Sequence, residues 1–257
     1  MRIILDLKKS LEANASDYYD KSKKAKKKLD GAKDALERTL KKLGELKGRK
    51  EELTVIKKKE ITVTKKEWYE KFRWFTTSKG FFVIGGRDAT TNEIVIKKHT
   101  DKDDIVMHTD MAGSPFFVLK TEGKEVDKET LEEVGDATCT FSRAWKLGLS
   151  RQDVFYVKPD QVTKTPNPGE YLPKGAFMIR GKTLYIDNKI NCAIGITKDN
   201  KIMAGPEIAI KTHCKDYLKV KQGDNKPSDI AKKIKSKIGG ELDDIIRALP
   251  SGGIDLI

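Results

Sequence analysis

The sequence predicts an α+β fold: a basic N-terminal coiled-coil helix, or arm, then a mixed-sheet α+β domain and a small α/β C-terminal module. Three observations predict it. A heptad of small and apolar residues runs through the first fifth of the chain. From residue 68 onward the apolar runs shorten to strand length, and a few stretches of helical period lie between them. The expected divisions are 1–67, 68–189 and 190–257.

In the arm, Leu11, Ala15, Tyr18, Ser22, Ala25, Leu29, Ala32, Leu36, Thr39, Leu43, Leu46 and Leu53 fall at alternating steps of four and three, with a polar miss at Lys50. The seam is thin, and Gly31, Gly44 and Gly48 each weaken the helix by ~1 kcal/mol. Such a helix needs a partner: a second chain, residues 51–72 folding back, or a sequence missing at the N-terminus. The β-branched Val55, Ile56, Ile61, Thr62, Val63 and Thr64 argue against an uninterrupted return helix.

The charge is concentrated in the same region. Residues 1–74 hold 23 Lys+Arg and 13 Asp+Glu, a net of +10 out of the chain's +13. Lys23, Lys24, Lys26, Lys27 and Lys28 form the densest run, followed by Lys57–Lys59 and Lys65–Lys66. These lysines are either a solvated helix face or a stripe that neutralises phosphates and releases their counterions.

The elements of the compact part follow in order. Trp68–Phe75 reads as the last helical turns of the arm, anchored by aromatics. Phe81–Ile84 is a buried strand ending at Gly85-Gly86. Thr90 with Glu93 makes a capping box for a short helix, although Ile94-Val95-Ile96 fits helix or strand. Ile105–Met107 and Phe116–Leu119 are strands separated by the turn residues Ala112–Pro115. Thr130 with Glu133 opens a helix in which Leu131, Val134, Thr138, Phe141 and Trp145 repeat at three and four, and Gly148 ends it. Val154–Val157 is a strand before the Pro/Gly-rich loop 159–175, with Phe177–Ile179 and Thr183–Ile186 beyond. The last module reads as strands at 192–196, 201–204 and 217–220 and helices near 207–212, 227–238 and 241–248.

Composition excludes several classes. Hydrophobic residues make up 37% and charged residues 35% of 257, too apolar for a disordered chain and low for one compact globule. No run approaches the ~18–20 apolar residues of a membrane span, and no signal peptide is legible. Cys139, Cys192 and Cys214 are odd in number and scattered, so no disulfide framework is expected and the expected location is cytoplasmic. The excess positive charge favours an anionic partner, with nucleic acid first.

Catalytic chemistry finds little support. His108 and Asp110 flank Thr109 after a strand, either as an acid/base pair or as a histidine that stacks on a base or caps a loop. No nucleophile motif, phosphate loop or metal-ligand spacing accompanies them, and the adjacent His213-Cys214 is not spaced for a metal. The expectation is therefore no enzyme, no metal and no cofactor. Arg87, Lys97, Lys98, Lys164, Arg180 and Lys182 instead sit in loops or at element ends beside Gly, Thr or aromatics, where phosphate can approach and a ring can stack.

Seven ordered blocks then fall into place: Trp68–Phe75, Ile84–Glu93, Asp104–Asp110, Phe141–Trp145, Gln161–Pro166, Gly169–Leu172 and Phe177–Lys182. Together they resemble the NFACT-R domain of the NEMF, fibronectin-binding protein A, Caliban and Tae family. Leu11–Tyr19 looks like the start of that family's middle coiled coil, and Ala193–Ile196 with Leu249–Gly253 like its archaeal C-terminal extension. The resemblance implies a ribosome quality-control factor that binds the split large ribosomal subunit, rRNA and tRNA included, and supports tailing of the stalled nascent chain. It implies RNA contacts by Arg87, Asn92, His108, Lys164, Thr165, Arg180 and Lys182. Gly85, Gly86, Asp88, Glu93, Asp110 and Gly181 also match the motif, the glycines for backbone geometry and Asp88 and Glu93 as caps. The family's N-terminal domain is not legible before residue 11, so a fragment or a truncated paralogue is expected. Two other readings stand beside RNA binding: a coiled-coil protein-interaction or structural module, and an RNA-processing enzyme centred on His108 and Asp110.

Overall fold

The computed structural model describes residues 4–53 and 66–257, which fall into two compact units divided between Lys65 and Lys66. The expectations for Val55–Thr64, for Lys57–Lys59 and for Lys65 lie outside the described residues.

In the first unit, α1 (Leu11–Leu53) is one continuous helix of 43 residues. Ser10 starts it, its hydroxyl accepting the Ala13 N–H at 3.2 Å. The preceding segment folds onto the first two turns: Asn14, buried, donates to Asp6 O and accepts from Asp6 N, and the Tyr18 hydroxyl donates to Ile4 O at 2.7 Å. Farther along, seam residues Leu29, Leu36 and Leu43 are exposed, as are Lys23 through Lys28. Within this unit no described residue covers these leucines.

The second unit is built on a six-stranded sheet of order β1-β2-β4-β3-β5-β8, with β1 (Arg73–Thr76), β2 (Phe82–Gly85), β3 (Ile105–Thr109), β4 (Phe117–Lys120), β5 (Val154–Val157) and β8 (Leu184–Ile186). The α+β class holds, but this sheet is antiparallel throughout where a mixed one is expected. The connections explain it. Helix α2 (Ala89–Lys98) carries β2 across one position to β3, and α3 (Lys128–Thr140) with α4 (Arg143–Leu147) carries β4 across one position to β5. Each skipped position is filled by a strand running the other way.

Both faces of this sheet are buried, which is why its strands read as unbroken apolar runs rather than alternating ones. Ile84, Val106, Phe116, Val118 and Phe155 pack under α2 and the loop that carries Phe177. Val83, Met107, Phe117 and Leu119 face the opposite way, toward α3 and α4. That second cluster continues into residues 190–257 through Ile194, Met203, Ile210, Ile230, Ile234 and Ile245. There a four-stranded sheet of order β10-β9-β11-β12 joins β9 (Cys192–Thr197), β10 (Ile202–Gly205), β11 (Cys214–Gln222) and β12 (Ile254–Leu256). Helices α5 (Glu207–His213), α6 (Pro227–Ile238) and α7 (Leu242–Ala248) complete the region.

Several local expectations are corrected. Trp68–Phe72 forms turns rather than the end of a helix, and Arg73–Thr76 is the edge strand β1, because Phe72 and Phe75 must point into opposite cores. The cap of α2 is Asp88 with Thr91, not Thr90 with Glu93, which makes Ile94–Ile96 helical. Asp127, not Thr130, caps α3, and Glu133 accepts the Ser78 N–H at 2.8 Å instead of closing a capping box. The single helix expected across 130–145 is two. Ser142 breaks it, its hydroxyl donating to Cys139 O and accepting the Ala144 N–H, which restarts the chain as α4. The loop expected at 159–175 contains a short 3₁₀ turn, Pro159–Gln161, and the strand β6 (Val162–Thr163), paired with β7 (Met178–Ile179).

Candidate nucleic-acid interface

One end of the six-stranded sheet opens into a cavity of about 690 Å³. Strand ends form its floor: Arg73 starts β1, Gly86 follows β2, His108 is the last residue but one of β3 and Phe116 precedes β4. One flank is Phe141 with Ser142, Arg143 and Lys146 of α4. The other is the first turn of α2 with the loop 173–177. The cavity therefore joins the two faces of the sheet at its rim.

Close backbone approaches shape the α2 side. A Cβ on Gly86 would lie 1.8 Å from Asn92 Oδ1, so only glycine leaves room for that side chain to accept the Phe116 N–H at 3.2 Å. Gly175, at φ +80°, is pressed on Ala89, and its N–H donates to Glu93 Oε1 at 3.1 Å. Glu93 also receives Lys164 at 2.8 Å and Lys97 at 3.1 Å. Lys164 in turn donates to the carbonyls of Pro173 and Ala176. The Lys164 ammonium first, with the Gly175 N–H and Lys97, holds the Glu93 carboxyl down to about 2. This latch fixes the loop over α2.

The charge of the lining is one-sided. Among the described residues, Arg73, Arg87, Arg143, Lys146 and Lys174 line the cavity against the carboxylate of Asp88 alone, and Asp88 is engaged in capping the Thr91 N–H at 2.9 Å. Arg73 is the unusual member. It is 6% exposed, its guanidinium lies 4.3 Å from the centroid of the Phe141 ring, and one terminal N–H donates to Leu249 O at 3.1 Å. Its Nε is buried without a partner, and among the described residues no carboxylate lies within salt-bridge distance. Burial, with the nearby Arg87 charge, pushes its pKa down to about 9. It stays charged at neutral pH. A buried, uncompensated cation costs several kcal/mol in a folded protein, and an anion from solution would offset that cost.

His108 stacks on Phe116 with ring centroids 4.1 Å apart, and its Nε2 lies 3.1 Å from Ser114 O. The carbonyl can only accept, so Nε2 carries the proton. Burial lowers the His108 pKa, which keeps the ring neutral. Asp110 accepts from the Tyr185 hydroxyl at 3.1 Å and faces a different cavity. No hydrogen bond links the two residues.

Of the residues singled out in the sequence, Arg87, Asn92 and His108 line the cavity together. Lys97 and Lys164 belong to the Glu93 latch. Arg180 donates to Asn167 Oδ1 at 2.6 Å and to Thr165 O at 3.2 Å, bracing the loop, while the Lys182 carbonyl accepts from Gln161. Lys98 is exposed at the end of α2. Arg73, Arg143, Lys146 and Lys174 are not legible as site residues from the sequence. The available signal is an arginine embedded among aromatics, in Phe72-Arg73-Trp74 and Phe141-Ser142-Arg143-Ala144-Trp145.

The family model described as the NFACT protein RNA binding domain matches residues 71–181, the span that supplies every lining residue of this cavity except Ser251. Residues 71–181 carry an NFACT RNA binding domain. The archaeal Rqc2 homolog aRqcH of Methanocaldococcus jannaschii is 45% identical over 207 residues, covering 78% of this chain and 31% of that protein. The ribosome quality control complex subunit NEMF of Homo sapiens is 36% identical over 179 residues, 68% of this chain and 16% of that protein. The chain thus spans less than a third of the length of these relatives. Among solved structures, the C-terminal of the fibronectin/fibrinogen-binding protein from Streptococcus suis gives a TM-score of 0.39 at 19% identity, covering 69% of this chain and 77% of that one. Among the described residues, no helix is long and apolar enough to cross a membrane, and no group of three or more His, Cys, Asp or Glu is placed to hold a metal ion.

Proposed function

We propose that this chain is a non-enzymatic RNA-binding module acting in ribosome quality control, engaging large-subunit rRNA, with tRNA as the second ligand. The observation that carries the reading is Arg73: a buried arginine with no carboxylate in reach among the described residues, in a cavity that gathers four more cations. The names of the relatives supply the setting, since the archaeal protein is called an Rqc2 homolog and the human one a ribosome quality control complex subunit. Residues 68–189 carry the contacts in this reading, and 190–257 buttress the α4 flank through the shared core. The lysines of the arm supply long-range attraction, which is sequence-independent and salt-sensitive, and the cavity supplies selectivity. The neutral, carbonyl-bound His108 supports a positioning role rather than acid/base chemistry.

The exposed seam leucines of α1 favour one addition, a partner helix that covers them. The test of the main reading is sedimentation of the 257-residue chain with purified large ribosomal subunits at rising salt. Binding should fall steeply between about 50 and 200 mM monovalent salt. Salt-independent binding, or none, overturns it.

A further inference from the structure

Resting on the RNA-binding reading, we propose that the cavity at the sheet end is a pocket for one unpaired nucleotide of an RNA strand, and not a contact surface for duplex backbone. Three features point this way. The first is depth. Arg73, at the start of β1, is 6% exposed whereas Arg87 in the same lining is exposed, and a phosphate on the outside of a rigid A-form helix cannot reach so buried a cation. A single strand can turn a phosphate inward.

The second is the division of the lining. Arg73, Arg143 and Lys146 come from β1 and α4, on one face of the sheet. Pro173 and Phe177 come from the latched loop and Ile179 from β7, on the other face, with the exposed cations Lys174 of the same loop and Arg87 before α2 beside them. A nucleotide has the same polarity, with a phosphate at one end and a flat apolar base at the other. The third is preorganisation. The Glu93–Lys164 latch and the Gly86–Asn92 contact tie the apolar wall to α2 through the protein's own groups, so less of the ordering cost of binding falls on the protein. The volume of about 690 Å³ leaves room for a nucleotide and its bridging waters.

The test uses the 257-residue chain, fluorescence anisotropy, a labelled twelve-nucleotide oligouridylate, and a blunt RNA hairpin with the same number of phosphates. The single strand should bind at least tenfold more tightly than the hairpin. R143A/K146A changes only exposed side chains and should remove about tenfold from single-strand binding while leaving the hairpin nearly unchanged. R73M, which addresses the deep cation, should do the same. Equal binding of hairpin and single strand overturns the pocket but leaves RNA binding intact, as does an equal loss on both RNAs in R143A/K146A. If neither RNA binds at low salt, both readings fall. AMP binding more tightly than the oligonucleotide overturns the strand proposal in favour of a free nucleotide.

Discussion

The Arg73 guanidinium lies 4.3 Å from the centre of the Phe141 ring, joining the first residue of β1 to the residue that caps the end of α3. The contact keeps a buried cation aimed at the cavity without neutralising it. Replacing it with methionine removes a desolvated charge and keeps the packing volume, but leaves the Leu249 carbonyl without its donor. These effects oppose each other, and R73M should be neutral or up to about 2 kcal/mol more stable in urea unfolding. Its binding of single-stranded RNA should fall in the same preparation. Destabilisation beyond about 2 kcal/mol would mean that Arg73 is there for the fold.

Glu93 ties the loop to α2, and its loss should be felt there first. In E93Q the Lys164 ammonium loses its carboxylate, and exchange of the Gly175 amide should accelerate roughly tenfold with the melting temperature little changed. The acid limb follows the same group. Its folded pKa of about 2 lies below the ordinary 4.5, so its contribution is complete above pH 4.5 and is lost as pH falls toward 2. Gly175 exchange, corrected for its intrinsic pH dependence, should show that window in the wild type and not in E93Q.

Two histidines act in a higher window. His108, against Phe116, and His99, stacked on Trp68 at 4.4 Å, both have lowered pKa values, in each case from burial first. The unfolded chain therefore takes up protons before the folded one, and stability should fall as pH drops below about 6.5, levelling once the folded histidines titrate. H108F keeps a ring against Phe116 and should flatten part of the decline in melting temperature between about pH 7.5 and 5.5. An unchanged slope would exclude His108 as its source.

What is legible in the sequence and what is not divide along one physical line. Val83-Ile84 and Phe116–Leu119 announce strands because both faces of the sheet are buried, and the α1 heptad announces a helix because its period is local. The break at Ser142 is hidden, since Phe141 and Trp145 continue the helical spacing across it, and only the hydroxyl's two hydrogen bonds end one helix and start the next. Arg73 reads as part of a helical turn, because nothing local shows that Phe72 and Phe75 serve opposite cores. The cavity is only partly visible. Arg87, Asn92 and His108 stand in glycine-rich or strand-end motifs, whereas Arg143 and Lys146 join them only through the crossover that brings α4 to the same rim.

The arm permits a separate test, because its charge and its seam occupy different positions of one helix. Lys23, Lys24, Lys26, Lys27 and Lys28 are all exposed on α1, and among the described residues no ion pair engages them. Reversing the five to glutamate leaves Leu29 and Leu36 unchanged and uses a residue of similar helix propensity. If these lysines neutralise phosphates, affinity for large subunits should fall at least tenfold, and the slope of log affinity against log salt should shrink by about one for each phosphate left unneutralised. Circular dichroism should show the helix content of the wild type. Single-stranded RNA held by the cavity should lose mainly its long-range steering, seen as slower association rather than faster release. A variant that still sediments with the subunits along the wild-type salt curve would make these lysines a solvated face and nothing more.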